Sequence, residues 1–231
     1  MMGVPTEITR RALGVPGLDD MIVGGVPRPC AILVAGEPGT GKTTLCVQSM
    51  FSAAKNGEKA LYITAISEPQ WVVQKFLSGF KFYDQSLVDR ESVVFVDLGR
   101  DLVANPSTIL GKITGLVEKH MPDRLVIDPL TPITEMLHWR GETREFMHEL
   151  FAKLKAFDCI TLITAEMSYD DIPSKMEAYM VDGVLMLSYP EEDKVRRKFL
   201  EVLKMRGTRH VTGRQLVEIG AEGFAVQPGL R

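Results

Sequence analysis

Short runs of mostly apolar or β-branched residues alternate along this chain with longer stretches in which apolar residues recur every three or four positions. Residues 31–35, 60–64, 93–97, 125–128 and 160–164 are runs of the first kind, of strand length and rich in branched side chains. Residues 44 onward, 68–80, 107–120 and 142–157 are of the second kind, with the spacing of helices that bury one face. Such alternation predicts an α/β fold with a mostly parallel central sheet and helices on both faces. The pattern changes at Gly183. Residues 183–189, a turn at 190–193 and residues 198–204 read as a C-terminal antiparallel β-hairpin extension, followed by a second short pair near 215–219 and 224–226. The charged turn through 191–198 reads as a solvated loop.

With 231 residues and no Gly/Ser linker, repeat or low-complexity tract, the chain is expected to be a single domain over 1–231. No apolar run approaches a membrane span. The first residues lack the cationic start and apolar stretch of a secretory signal, so a cytoplasmic protein with reduced thiols is expected. Cys30, Cys46 and Cys159 have no metal spacing, and Cys46 and Cys159 fall in apolar patterns as small core residues. A net charge of −3 argues against a whole-surface nucleic-acid footprint, while leaving room for a local basic face.

The most specific chemistry lies between the first strand and the first helix. Residues 36–43 form a complete G-x-x-x-x-G-K-[ST] phosphate loop. Gly36, Gly39 and Gly41 let backbone amides turn toward phosphate oxygens. With Thr40 and Thr44 completing the loop and the helix start, they make an anion cradle reinforced by the helix dipole. Lys42 places a cation on the outer phosphates, and the Thr43 hydroxyl is a candidate Mg2+ ligand. A nucleoside triphosphate and Mg2+ are the cofactors this predicts. Asp128, closing the strand that begins at Arg124, is the candidate for holding the metal's hydration shell. Asp97 also ends an apolar strand but is followed by no second signal.

Four separated motifs then carry a resemblance. Leu13-Gly14-Val15-Pro16-Gly17-Leu18-Asp19-Asp20 with Gly24-Gly25-Val26-Pro27, the phosphate loop, Val126-Ile127-Asp128-Pro129-Leu130-Thr131, and Lys204-Met205-Arg206-Gly207-Thr208-Arg209-His210 occur in this order. Together they resemble one KaiC-type domain of the RecA/RadA ATPase superfamily over nearly the full chain. The resemblance implies a RecA-like core and a homo-oligomeric ring, usually hexameric, with ATP held between neighbouring subunits. It also implies that Lys204 and Arg206 reach the γ-phosphate of the adjacent subunit's nucleotide, as an arginine finger does. Lys204, Arg206, Thr208 and His210 alternate, so an extended chain presents them on one side, with Thr208 and His210 as further nucleotide contacts. Glu166, closing the strand after Asp128's, is the candidate γ-phosphate sensor, and Ser78 with Gly79 align loosely with adenine-contacting positions.

The chain departs from the family pattern in one place that matters. After the second strand the family carries two adjacent glutamates, one of which activates the attacking water. Here those positions are Ile66 and Ser67, and Glu68 follows one residue later, either as a displaced base or as an acidic first-turn residue before Pro69. Tight MgATP binding with slow hydrolysis is therefore expected. Residues 167–175, which face DNA in a recombinase, are acidic with a single lysine, so DNA is possible but not favoured. The Ser-Thr pair that clock KaiC proteins phosphorylate is replaced by Ala178 and Tyr179. His120, His138 and His148 have no metal spacing, and Trp71, Val72, Phe76 and Phe80 form an apolar helical stripe suited to core or subunit interface. The reading is an ATP-dependent switch for an unknown protein partner. The alternatives are a DNA-stimulated ATPase and a non-hydrolysing, nucleotide-stabilised scaffold.

Overall fold

The computed structural model describes residues 9–65, 70–138, 141–192 and 194–227. Nine strands build the main sheet: β1 (Cys30–Gly36), β2 (Ala60–Thr64), β3 (Val93–Asp97), β4 (Arg124–Ile127), β5 (Ile160–Glu166), β6 (Gly183–Ser188), β7 (Lys198–Met205), β8 (Gln215–Gly220) and β9 (Gly223–Gln227). Their order is β9-β8-β7-β6-β1-β5-β4-β2-β3. The six strands from β6 to β3 run parallel, and β7, β8 and β9 extend the sheet antiparallel. The α/β class, the mostly parallel sheet and the antiparallel C-terminal extension are as the alternation predicted.

The central strand β1 shows why the pattern was readable. It is buried on both faces: Ile32 and Val34 pack with Leu45, Met50 and Phe51, while Leu33 packs with Ile113, Phe146 and Leu150 on the other side. A parallel strand covered on both faces has no solvated side, so it reads as a continuous apolar run. The first face carries α1 (Lys42–Lys55) and α2 (Gln70–Leu77); the second carries α3 (Ile109–His120), α4 (Thr131–His138), α5 (Thr143–Ala156) and α6 (Met176–Met180).

The glycine-rich motif near the start works as a clasp. Asp19 accepts hydrogen bonds from the amides of Leu13 (2.6 Å) and Gly14 (2.8 Å), and burial raises its carboxyl pKa. Gly14 has φ 73, and a side chain there would collide with Ser52 of α1. The fully buried Arg124 donates to the Ala12 carbonyl at 3.0 Å and to the Ser49 hydroxyl, fastening the clasp to β4 and α1.

Two expectations need correction. The charged segment 191–198 is solvent-exposed at 191 and 194–197 as expected, but it is not a plain loop: Glu191–Glu192 pairs with Val195–Arg196 in a small antiparallel ribbon, and Lys198 is half-buried against the phosphate loop. Of the two places expected for Trp71 and Phe76, the chain's own core is ruled out: they are 64% and 72% exposed, and Val73 and Leu77 are the residues that α2 buries. Trp139, the other tryptophan and one expected to pack, lies outside the described residues. Helices Gln85–Asp89, Gly99–Ala104, α4 and α6 had not been anticipated.

Candidate nucleotide-binding site

β1 delivers the phosphate loop to the carboxyl end of the parallel strands, where Gly36 is in register with Glu166 of β5 and Leu187 of β6. Gly41 ends the loop at φ 104, and a Cβ there would lie 2.5 Å from Ile219 Cδ1 and 3.2 Å from Phe224 Cε2. Backbone conformation and crowding both require glycine. Gly39 is different: its φ is 79, but nothing lies near its missing side chain, so the requirement is conformational alone. Thr40 is buried and its hydroxyl donates to the Glu37 carbonyl at 2.8 Å, closing the loop on itself.

Lys42 opens α1. Its ammonium donates to the carbonyls of Gly36 (2.8 Å) and Glu37 (3.0 Å). Burial pushes its pKa below the ordinary lysine value, while the Glu166 and Asp128 carboxylates act in the opposite direction. Asp128 follows β4 and is itself buried. Tyr62 of β2 donates to its Oδ2 at 2.9 Å, and Thr164 of β5 donates to its Oδ1. β2 and β5 flank β4, so one hydroxyl from each neighbouring strand fixes the carboxylate. Lys42, Thr43, Asp128 and Glu166 border one cavity of about 650 Å³, with Thr44, Gly39 and Gly41 on the loop side. Val73 and Ile219 supply apolar wall, and Lys198 enters at the rim. The amide of Glu166 donates to the Thr131 hydroxyl at 3.0 Å, which ties the start of α4 to the end of β5. A cradle of amides, a buried ammonium and hydroxyl and carboxylate oxygens suit a polyphosphate with a hard divalent cation.

A model of the KaiC ATPase family matches residues 12–231. The chain belongs to this family. It is 29% identical to the circadian clock oscillator protein KaiC of Prochlorococcus marinus subsp. pastoris over 96% of this chain and 46% of that protein. The KaiC of Parathermosynechococcus lividus is 28% identical, over 99% of this chain and 43% of the relative. The chain thus spans less than half the length of these curated relatives. The crystal structure of a KaiC-like protein from the hyperthermophilic archaeon Pyrococcus horikoshii OT3 matches with a TM-score of 0.84 at 28% identity, covering 96% of this chain and 100% of the other. The RecA-like architecture and the nucleotide-binding character of a KaiC ATPase follow. Among the described residues no helix is long and apolar enough to cross a membrane, and no His/Cys/Asp/Glu group has the arrangement of a metal cluster.

The remaining residues singled out in this KaiC-type sequence fall elsewhere. Because β7 is antiparallel to β6, its first residue, Lys198, lies at the phosphate-loop end and Lys204 near the opposite end, about 20 Å away along the strand. There Lys204 donates to the carbonyls of Ala178 (3.1 Å), Tyr179 (3.0 Å) and Val181 (2.6 Å), closing the C-terminus of α6. Arg206 pairs with Asp182 at 3.3 Å and donates to the Tyr179 carbonyl. Strand alternation stops at Met205, and Gly207, at φ 64, turns the chain, so Thr208 and His210 lie beyond the strand. Thr208 accepts from Arg10 at 3.0 Å, and His210 Nδ1 lies 3.4 Å from the Thr208 carbonyl. Ser78 is exposed just past α2 and donates to the Lys75 carbonyl. Asp97 accepts from the Gly99 amide at 2.7 Å and starts a short helix, which accounts for it without a ligand. Glu68, with Ile66 and Ser67, lies outside the described residues. Sequence reasoning missed Tyr62, Thr164 and Lys198; the first two had a signal, a hydroxyl residue near the end of each strand beside Asp128's.

Proposed function

We propose that this chain is a single ATPase domain that binds MgATP, assembles as a ring with nucleotide between subunits, and uses nucleotide state to switch its interaction with a protein partner. The observation that carries the reading is the convergence of Lys42, Thr43 and the hydroxyl-fixed Asp128 on one cavity. Thr43 and Asp128 are the residues that would hold Mg2+, whose charge neutralises phosphate oxygens. Lys42 holds the outer phosphates, and Val73 and Ile219 offer the base an apolar wall. Glu166, on the rim and linked to Thr131, reports the terminal phosphate to α4. Support for the ring comes from the placement of Lys204 and Arg206: two cations at the far end of β7 cannot serve the chain's own phosphate loop, but suit a neighbour's. Thr208 and His210 are proposed to contact the same neighbouring nucleotide, and Ser78 to contact the adenine. Slow hydrolysis follows from Ile66 and Ser67, with Glu68 the nearest acid in sequence.

Calorimetry with MgATP and native mass spectrometry on the same preparation test this. One nucleotide bound per chain, lost in Lys42→Ala, and an assembly whose size or stability depends on ATP are expected. An intact chain that gives no binding with MgATP sinks the site; an assembly indifferent to ATP, ADP and their absence sinks the switch.

A further inference from the structure

Lys198 is the cation in this cavity that the phosphate-loop pattern does not account for. It is the first residue of β7, half-buried, and its ammonium donates to the carbonyl of Gly39 in the phosphate loop, 159 residues away in sequence. The same nitrogen lies 4.1 Å from the centre of the Tyr189 ring, whose other cationic neighbour is Arg196 at 5.9 Å. Other surface lysines find carboxylates: Lys81 pairs with Glu222, and Lys112 with Asp101. Among the side chains described, which do not include those of Glu192 and Asp193, no carboxylate pairs with Lys198, and burial lowers its pKa. A partly desolvated ammonium that holds only a neutral carbonyl and an aromatic face is short of negative charge. The cavity it borders is the one built for an anion.

We propose that Lys198 is the residue with which this chain distinguishes a nucleoside triphosphate from a diphosphate, by leaving the Gly39 carbonyl to grip the terminal phosphate. The proposal rests on the nucleotide reading of the cavity given above and adds the specificity to it. Its geometry follows from the loop. The amides at the start of α1 take the inner phosphates. Gly39 lies three residues before that helix, so a cation anchored on it stands beyond the inner phosphates. An ammonium–phosphate bond joins opposite charges and is stronger than the ammonium–carbonyl bond it replaces, in which only the donor is charged. A diphosphate leaves Lys198 on Gly39. The triphosphate moves it, and Tyr189 and the ribbon that follows are the first structure to feel the change. Unlike Lys204 and Arg206, this cation serves its own chain's nucleotide.

The test is calorimetry of the full chain with MgATP and with MgADP, for wild type, Lys198→Met and Lys198→Arg. Methionine keeps the length and apolar stem and removes the charge. The expected result is that Lys198→Met weakens ATP about ten- to a hundredfold while ADP changes less than about threefold, and that Lys198→Arg restores most of the preference. Equal weakening of both nucleotides, or no change in either, overturns the assignment. Unaltered ADP binding shows that the variant is folded. Failure of the underlying reading looks different, because wild type then binds neither nucleotide.

Discussion

Gln48, on the helix that carries the phosphate loop, holds both backbone groups of Phe224 near the end of the chain. Its Nε2 donates to the Phe224 carbonyl at 3.0 Å, and its Oε1 accepts from the Phe224 amide at 2.7 Å. Gly223 makes room, with φ 113 and a Cβ position 2.2 Å from Gln48 Oε1. The same hairpin brings Ile219 and Phe224 against Gly41, so the C-terminal extension is a wall of the nucleotide cavity rather than an appendage.

Replacing Gln48 with Leu leaves a buried amide and carbonyl of Phe224 without partners. The expected loss is about 1–3 kcal/mol of unfolding free energy, read as a lower denaturant midpoint. Nucleotide affinity falls with it, because Ile219 is no longer pinned. A variant with wild-type stability and affinity shows that the hairpin is held by apolar packing alone.

Asp128→Asn separates metal from phosphate. Both carboxylate oxygens accept hydroxyl protons, from Tyr62 and Thr164. An asparagine turns a donor onto one of those hydroxyls and removes the charge proposed to hold Mg2+. The increment that Mg2+ adds to ATP affinity is expected to vanish, while binding of metal-free ATP through the loop and Lys42 persists. Tyr62→Phe is expected to lower the Mg2+ increment by only several-fold, since one hydroxyl still orients the carboxylate. Calorimetry with and without Mg2+ reads both, and an undiminished Mg2+ increment in Asp128→Asn removes it from the metal site.

The legible parts of this fold were those fixed by local burial. Residues 60–64 and 93–97 read to their observed limits because parallel strands are covered on both faces and bounded by polar turns. The phosphate loop was legible because its glycines and lysine answer to backbone conformation and charge within eight residues. Helix α4 is hard to read because it is only eight residues long and prolines, Pro129 and Pro132, stand at its start. The inward turn of Lys198 was hidden because its acceptor, Gly39, is distant in sequence, and a lysine at the end of a charged run looks like any solvated lysine. Periodicity found the apolar stripe on α2 but not its orientation: Val73 and Leu77 go inward, Trp71 and Phe76 outward. The resemblance to the family placed Lys204 and Arg206 at a phosphate, whereas within one chain they close the end of α6.

Those two roles come apart by mutation. Lys204 binds three carbonyls and is partly buried, so Lys204→Met is expected to cost about 1–3 kcal/mol of stability. Arg206 is half-exposed in its pair with Asp182, an arrangement worth about 0–1 kcal/mol. Arg206→Ala therefore leaves thermal stability near wild type, yet shifts the ATP dependence of assembly in native mass spectrometry. Unchanged assembly together with unchanged ATP affinity removes Arg206 from the neighbour's site.

The three thiols are expected to be inert in the native chain. All are buried; burial, with the Asp182 carboxylate adding to it, pushes Cys30 up to about 12, and burial raises Cys46 and Cys159 as well. Raised values mean that the reactive thiolate is scarce at neutral pH and grows only in strong alkali. A chromogenic thiol reagent at neutral pH should find none reactive in the folded protein and three per chain in guanidinium. Rapid reaction of even one native thiol contradicts the packing around it.

Turnover is where the departure from the family pattern has its largest predicted effect. In the proposed reading binding depends on the loop, Lys42 and Asp128, all present, whereas hydrolysis also requires a group that takes a proton from water. With Ile66 and Ser67 at the positions of the paired glutamates, the loss of a positioned base is expected to reduce the rate by about a hundred- to ten-thousandfold. Tight MgATP binding should therefore accompany slow steady-state phosphate release. Placing the acid back, by Ile66→Glu with Ser67→Glu, should raise release without tightening binding, since a base acts on the transition state and not on the bound nucleotide. Brisk release by wild type that disappears in Glu68→Gln identifies Glu68 as the base and replaces the switch by a working motor.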